Sequence, residues 1–198
     1  NKNNEEPVLA HAAWLGASQK EDAAASEKIL ALIKPKWLVV DHYALDYRWE
    51  QDLKPYYQSL LVIDDLADRK HSCNLLLDQT FGRNAEDYHP WVPPDCTLLC
   101  GSNYALLRPE FAQLRAYSLQ RRQQPRLQHL LITMGGVDKD NATGLVLSAL
   151  THCDIPQDCQ ITVVMGTYAP WLKEIQAQAA QMPWFTEVCV NIGNMAQL

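Results

Sequence analysis

Residues 59–79 read SLLVIDDLADRKHSCNLLLDQ, and two features of this stretch decide the fold. A short apolar run, SLLVI, ends on the carboxylates Asp64 and Asp65. A second run, NLLLD, follows nine residues later and again ends on a carboxylate. Runs of four to six apolar residues closed by a polar residue are the pattern of parallel strands whose C-terminal ends open onto functional loops. Working outward, KWLVVD at 36–41 and TLLCG at 97–101 repeat the pattern, as do HLLITM at 129–134, ITVVMG at 161–166 and TEVCVNI at 186–192. Between them lie stretches with helical character. EDAAASEKILALI at 21–33 places Ala25, Ile29, Leu32 and Ile33 at helical spacing and is stopped by Pro35. Residues 45–57 carry Trp49, Leu53, Tyr56 and Tyr57 at similar spacing, with Pro55 shortening the helix. Further helices are predicted over 109–123, with Pro109 at its first position, and over 141–150 and 169–181. Strands alternating with helices predict an α/β protein of parallel sheets covered on both faces. The polar segment QQPR at 123–126 reads as a linker, dividing the chain into units 1–122 and 123–198. The polar stretch from Asn1 to Pro7 is expected to be frayed.

Composition narrows the function classes. Across 198 residues, 47% are hydrophobic and 20% charged, the balance of a folded domain rather than a disordered chain. The net charge of −6 argues against a general nucleic-acid binder, which needs a basic face. No apolar run reaches the roughly 20 residues that span a bilayer. The six cysteines form no Cys-x-x-Cys pair and have no histidine at zinc-ligand spacing, so reduced thiols, buried where they adjoin apolar runs as Cys96, Cys100 and Cys189 do, are expected. With no signal peptide pattern, the expected compartment is cytoplasmic. Nothing in the pattern sets an oligomeric state.

Ligands of open parallel sheets bind beyond the carboxyl ends of the strands. Three polar clusters fall there: Asp41-His42-Tyr43, then Asp64-Asp65 with Asp68, Arg69 and His71, then Gly135-Gly136-Val137-Asp138. The doubled glycine permits close backbone approach, and the free amides of the helix that follows would favour an anion such as phosphate. The loop lacks the Lys-Ser/Thr of a P-loop and the full Gly-x-Gly-x-x-Gly fingerprint, which disfavours an ATPase and a standard dinucleotide site. Adjacent strand residues point to opposite faces, so Asp64 and Asp65 do not form a metal pair, and no metal or cofactor is expected. Asp68 and Arg69 suit local pairing within the loop. His42 is a candidate proton carrier, and Tyr43 offers a ring for stacking and a hydroxyl. No Gly-x-Ser-x-Gly elbow or His-Glu-x-x-His motif is present.

Five strings occur in one order: WLGASQKEDA at 14–23, WLVVDHYALDYRWE at 37–50, LLVIDDLADRKHSCNLLLDQ at 60–79, YALLRPEF at 104–111 and ITMGGVDKDN at 132–141. Together they resemble the UDP-2,4-diacetamido-2,4,6-trideoxy-β-L-altropyranose hydrolases of bacterial pseudaminic acid biosynthesis, a pathway of flagellin and surface-glycan modification. The resemblance implies two Rossmann-like units of a GT-B-type fold, both incomplete here: residues 1–122 as the latter part of the N-terminal domain and 123–198 as the first part of the C-terminal, nucleotide-binding one. It implies metal-independent, inverting attack of water on the anomeric carbon of a UDP-sugar. Tyr43 and His42 are the implied catalytic residues. Asp41, Asp65, Arg69, Tyr104, Gly135, Gly136, Asp138 and Asn141 are the implied substrate-binding residues, with Gly135-Gly136 near the diphosphate. The family's Gly-rich loop bearing the water-activating histidine has no counterpart among these residues, and neither has its later Gly-Gly-x-Ser/Thr loop. That main catalytic base is expected upstream of Asn1. The chain is therefore expected to be an internal piece, inactive by itself; release of free UDP by the purified chain is the contrary result. Two other readings are a GT-B glycosyltransferase using a UDP-sugar and a non-catalytic nucleotide-sugar-binding module.

Overall fold

The computed structural model describes residues 9–198. Asn1 and the polar residues after it, expected to be frayed and to follow the segment that carries the main base, lie outside the described residues. The structure is α/β, with two separate, wholly parallel sheets. Two compact units divide between Leu106 and Leu107.

The first unit opens with a 3-10 turn (Ala12–Leu15) and helix α1 (Gln19–Ile33). Ser18 caps α1 by accepting from the Glu21 amide while the Glu21 carboxylate accepts from the Ser18 amide, a reciprocal capping box. Strand β1 (Trp37–Val40) follows, then α2 (Tyr47–Leu53), β2 (Ser59–Ile63), β3 (Leu75–Asp78) and β4 (Thr97–Cys100). The sheet order is β1-β2-β3-β4, with Trp37 in register with Ser59 and Leu75 with Thr97. The core gathers Leu60, Val62 and Leu76 from the sheet with Leu30, Trp49, Leu53 and Tyr88. Helices α1 and α2 are joined by the Trp49 indole, which donates to Asp22 at 2.8 Å.

Two expectations for this unit are corrected. Helix α1 forms where predicted, but it buries Ala23 and Leu30, whereas Ala25, Ile29, Leu32 and Ile33 remain exposed. The helix carries two apolar stripes, and α2 packs against the other one. Nor is the sheet covered on both faces. β2 alternates buried and half-buried residues, and in β1 Trp37 and Val39 are 52% and 54% exposed while Val40 is buried. No α-helix links β2 to β3 or β3 to β4; a loop makes the first connection and a loop with one 3-10 turn the second.

The second unit contains α3 (Pro109–Arg121), β5 (His129–Thr133), α4 (Ala142–Leu150), β6 (Gln160–Met165), α5 (Leu172–Ala179) and β7 (Thr186–Val190), with sheet order β5-β6-β7. Its core is built from Ile132, Leu147, Ile161, Val163 and Ile175. α3 groups with this unit, whereas the sequence places it before the boundary at 122. Arg108, at the head of α3, donates from Nη1 to the Gly193 carbonyl at 2.9 Å. No helix among the described residues is long and apolar enough to cross a membrane. The cysteines are all free; Cys73 and Cys159 are the buried ones, while Cys96, Cys100 and Cys189 are half-buried and Cys153 exposed.

Leu76, on the central strand β3, has no exposed surface. Leu76→Ala is expected to destabilise the fold by roughly 2–5 kcal/mol through lost burial and a residual cavity. Val39→Ala on the open face is expected to change stability by only about 0.5 kcal/mol. Urea denaturation of the two variants measures the contrast.

Candidate functional site

The C-terminal ends of β1 to β3 deliver a cluster of polar side chains whose foundation is buried. Asp64 leaves β2 and Asp78 ends β3, and both carboxylates lie inside the protein. The fully buried Tyr88 hydroxyl stands between them, 2.9 Å from an Asp64 oxygen and 2.9 Å from an Asp78 oxygen. Its single proton serves one carboxylate at a time. Burial and the two carboxylates together push the Tyr88 phenol far above its ordinary value, so it stays neutral. At the outer ends Arg69 pairs with Asp64 at 2.6 Å and Arg83 with Asp78 at 2.6 Å. The result is a continuous chain, Arg69–Asp64–Tyr88–Asp78–Arg83. Burial pushes the Asp64 carboxyl upward, but the Arg69 guanidinium and then the Ala67 amide outweigh it, leaving the pKa below the ordinary value.

Above this foundation lie the exposed Asp65 and the half-buried Tyr43. Arg83 Nη2 donates to the Asp65 carbonyl at 2.6 Å, which fixes the backbone from which the Asp65 carboxylate projects. That carboxylate engages the Tyr43 hydroxyl and, with burial and the charges of Asp41 and Asp64, pushes the phenol up to about 12. Tyr43 is therefore a neutral donor at physiological pH. Its ring is flanked by the Arg69 guanidinium, 6.0 Å from the ring centre, and by the rings of His11 at 5.4 Å and Trp14 at 5.8 Å. Asp41 is exposed at the end of β1. His42 turns its ring onto its own loop, where Nδ1 accepts from the Ala44 amide at 3.1 Å. In the neutral ring this contact places the proton on Nε2, making that atom a donor.

Arg69 is itself buried. Its Nε donates to the Leu45 carbonyl and its Nη1 to Asp68, so it braces the loops of β1 and β2 rather than projecting outward. Tyr104 sits in a 3-10 turn after β4, the edge strand farthest from β1. Thus Asp41, Tyr43, Asp65 and Arg69 are brought together, and Tyr104 stands apart from them.

In the second unit, Gly135 takes φ of 81° and Gly136 faces open space, so a ligand could approach this backbone closely. Their amides make no hydrogen bond among the described residues. The loop is held from the side. A Cβ placed on Gly166, just past β6, would lie 2.0 Å from the Gly136 carbonyl oxygen. The Trp171 indole donates to the Lys139 carbonyl at 3.0 Å. One expectation is corrected here: the first amides of α4 are not free. Asp138 accepts from Ala142 and Thr143 at 2.8 and 2.9 Å, and Asn141 accepts from Gly144 at 3.2 Å. The hydrogen bond from the Thr143 side chain, joined by those from the Thr143 and Ala142 amides, holds the Asp138 pKa below its ordinary value against the opposing effect of burial. The helix already has its anion, and only the glycine amides remain open.

Asp78, Arg83 and Tyr88, together with His11, Trp14 and Gly166, were not singled out from sequence as site-forming. Asp78 shared the strand-end signal of Asp64. The others belong to no motif, and the contacts that tie them to the site, such as Tyr88 to Asp64, Arg83 to the Asp65 carbonyl and His11 to Tyr43, cross between segments well separated in the chain. Among the described residues no group of three or more His, Cys, Asp or Glu side chains could hold a metal ion.

No protein-family model matches the chain. Over 158 residues it is 29% identical to the UDP-2,4-diacetamido-2,4,6-trideoxy-β-L-altropyranose hydrolase of Campylobacter jejuni, covering 77% of this chain and 54% of that protein. Over 170 residues it is 24% identical to an uncharacterized protein of Methanocaldococcus jannaschii, covering 84% of this chain and 35% of that protein. The chain thus spans about half the length of the first relative and about a third of the second. These are distant relationships.

Two outcomes are expected. Because the Asp64 pKa is lowered on folding, its contribution to stability is complete above the unfolded value near 3.8 and is lost as pH falls through the folded one. Asp64→Asn, which leaves Arg69 buried beside a neutral amide, is expected to cost roughly 3–5 kcal/mol near neutral pH. It should also flatten the acid limb of the stability profile, measured as urea midpoint against pH. For Tyr43 the sign is opposite: the folded value of about 12 exceeds the ordinary 10.0, so the contribution is complete below 10.0 and fades as pH rises to about 12. A tyrosinate absorbance titration of the wild type minus Tyr43→Phe is expected to show the late transition, and Asp65→Asn to move it back toward 10.0.

Proposed function

We propose that this chain is part of a nucleotide-sugar hydrolase that releases UDP from UDP-2,4-diacetamido-2,4,6-trideoxy-β-L-altropyranose. The observation that carries the reading is the 158-residue alignment with the Campylobacter jejuni hydrolase. Under this reading the two parallel-sheet units are Rossmann-like parts of a GT-B arrangement, and the pathway is pseudaminic acid biosynthesis. Water attacks the anomeric carbon with inversion and without a metal. As the C–O bond to the diphosphate breaks, positive charge builds on the sugar ring and negative charge on the departing UDP.

The residues divide these tasks. The open amides of Gly135 and Gly136 donate to the diphosphate, with Asp138 and Asn141 shaping their loop from the head of α4. The Tyr43 hydroxyl, its proton given to the Asp65 carboxylate, accepts from a sugar hydroxyl or acetamido N–H, and its ring supports the pyranose face. Asp41 and Asp65 accept from sugar hydroxyl or acetamido N–H groups, and their charge opposes that of the ring as it ionises. His42, with its proton on Nε2, acts as a donor. Arg69 holds Tyr43 and the Asp64 loop in place, while Tyr104 contacts substrate from the end of β4. The resemblance assigns the activation of water to a histidine on a Gly-rich loop, a string that does not occur among these 198 residues.

The protein translated from the complete reading frame, incubated with the UDP-sugar and EDTA, is expected to release UDP with water as the only co-substrate and with inverted configuration by proton NMR. Tyr43→Phe is expected to lower kcat by about tenfold or more. UDP release that needs an added sugar acceptor would replace this reading with a glycosyltransferase. Tight binding of the UDP-sugar without turnover would replace it with a binding module.

A further inference from the structure

We propose that Cys73 and Cys96 form an oxidation site that hydroperoxides convert to a disulfide. The two sulfurs are 3.6 Å apart, in contact but not bonded. Cys73 precedes β3 and is buried in the core; Cys96 precedes β4 and is half-buried between the exposed residues Asp95 and Thr97. The backbones that carry them are already pinned together. Thr97 donates to the Asn74 carbonyl at 2.9 Å, and Leu75 and Thr97 open the parallel pairing of β3 with β4. A disulfide bond of about 2.05 Å needs the sulfurs to close by roughly 1.5 Å, within the range of small χ1 rotations between adjacent strands. No other two thiols are in contact among the described residues.

The environments assign the roles. The thiol–thiol hydrogen bond, and then burial, raise the Cys73 pKa, while the same hydrogen bond lowers that of Cys96. The more exposed sulfur is thus the one with more thiolate character, and thiolate character with access sets which cysteine a peroxide meets first. The Cys96 thiolate attacks the hydroxyl oxygen of the peroxide; the O–O bond breaks, giving a sulfenic acid, and the other oxygen leaves as alkoxide or hydroxide and takes up the proton that the thiol released. Cys73 then attacks the Cys96 sulfur as its own proton leaves. The S–O bond breaks, and water departs with that proton. In total, two thiols and one hydroperoxide become one disulfide, water and the corresponding alcohol or second water. The two sulfur atoms are oxidised and the peroxide is reduced.

Closure ties the start of β3 to the start of β4 and encloses the segment bearing Asp78, Arg83 and Tyr88, three of the five members of the charged chain beneath Tyr43. The site is independent of the proposed hydrolase activity. The full chain, held at low concentration, is treated with hydrogen peroxide, blocked with iodoacetamide, digested and mapped by mass spectrometry. The expected product is a peptide pair joined through Cys73 and Cys96, lighter by two hydrogens, released by dithiothreitol, retained in Cys153→Ser and lost in Cys96→Ser and Cys73→Ala. Cys96 lies at the margin of the core, so Cys96→Ser keeps the test valid should Cys73→Ala fail to fold. Separate alkylation of Cys73 and Cys96 after peroxide treatment, over-oxidation of Cys96 without the link, or a different dominant pair would overturn the proposal.

Discussion

Two carboxylates at the ends of neighbouring parallel strands, both taken out of water, constrain everything above them. Asp64 and Asp78 share Tyr88 at 2.9 Å each. Left alone, such a pair would lift one pKa until a proton returned. Arg69 and Arg83 counter this by pairing with the carboxylates, Arg69 with the Asp64 oxygen that faces away from Tyr88 and Arg83 with the same Asp78 oxygen that Tyr88 meets. Each arginine then uses its remaining donors on backbone carbonyls, Arg69 on Leu45 and Arg83 on Asp65. The loops after β1, β2 and β3 are therefore tied to one charged core, which does the work that crossover helices perform in other parallel sheets. A buried network of this kind is unforgiving, because removing any member leaves a desolvated charge. Rigidity at the strand ends is the gain, and Asp65 and Tyr43 inherit it.

The second unit solves a different electrostatic problem. The head of α4 offers amides and the positive end of a helix dipole, the usual attraction for phosphate. Asp138 and Asn141 occupy those amides from within the chain. What stays open is the Gly135-Gly136 backbone, held in place by Gly166 from β6 and by Trp171 at the head of α5. What this loop has to offer an anion is therefore two glycine amides in a turn that takes positive φ at Gly135. That arrangement needs no net positive charge, which is compatible with a chain of net charge −6.

Much of this was legible in the sequence. Every predicted strand is present to within about two residues, because short apolar runs bounded by polar residues, glycine or proline have few other uses. The helices at 19–33 and 109–121 are equally clear from composition and proline placement. The face of α1 was not legible, since Ile29, Leu32 and Ile33 make as good an apolar stripe as Ala23 and Leu30. Only contact with α2 distinguishes them. Asp64 and Asp65 could be separated by the two-residue alternation of a strand, and the structure buries the first and exposes the second. Tyr88 and Arg83 could not be found this way, for nothing within a few residues of either marks a partner on β2.

By itself, then, the sequence determined the α/β class, the parallel strands, the positions of the polar clusters at strand ends, and a resemblance carried by five ordered strings. These follow from local periodicity and chain order, which neighbouring residues impose on one another. Tertiary structure alone decided that Arg69 braces rather than reaches outward, that the α4 amides are closed, that Cys73 meets Cys96, and that Tyr43 stays protonated to about 12. Each of these depends on burial or on a partner far away in the chain. Both quantities come into existence only when the strands pair and water is excluded between them.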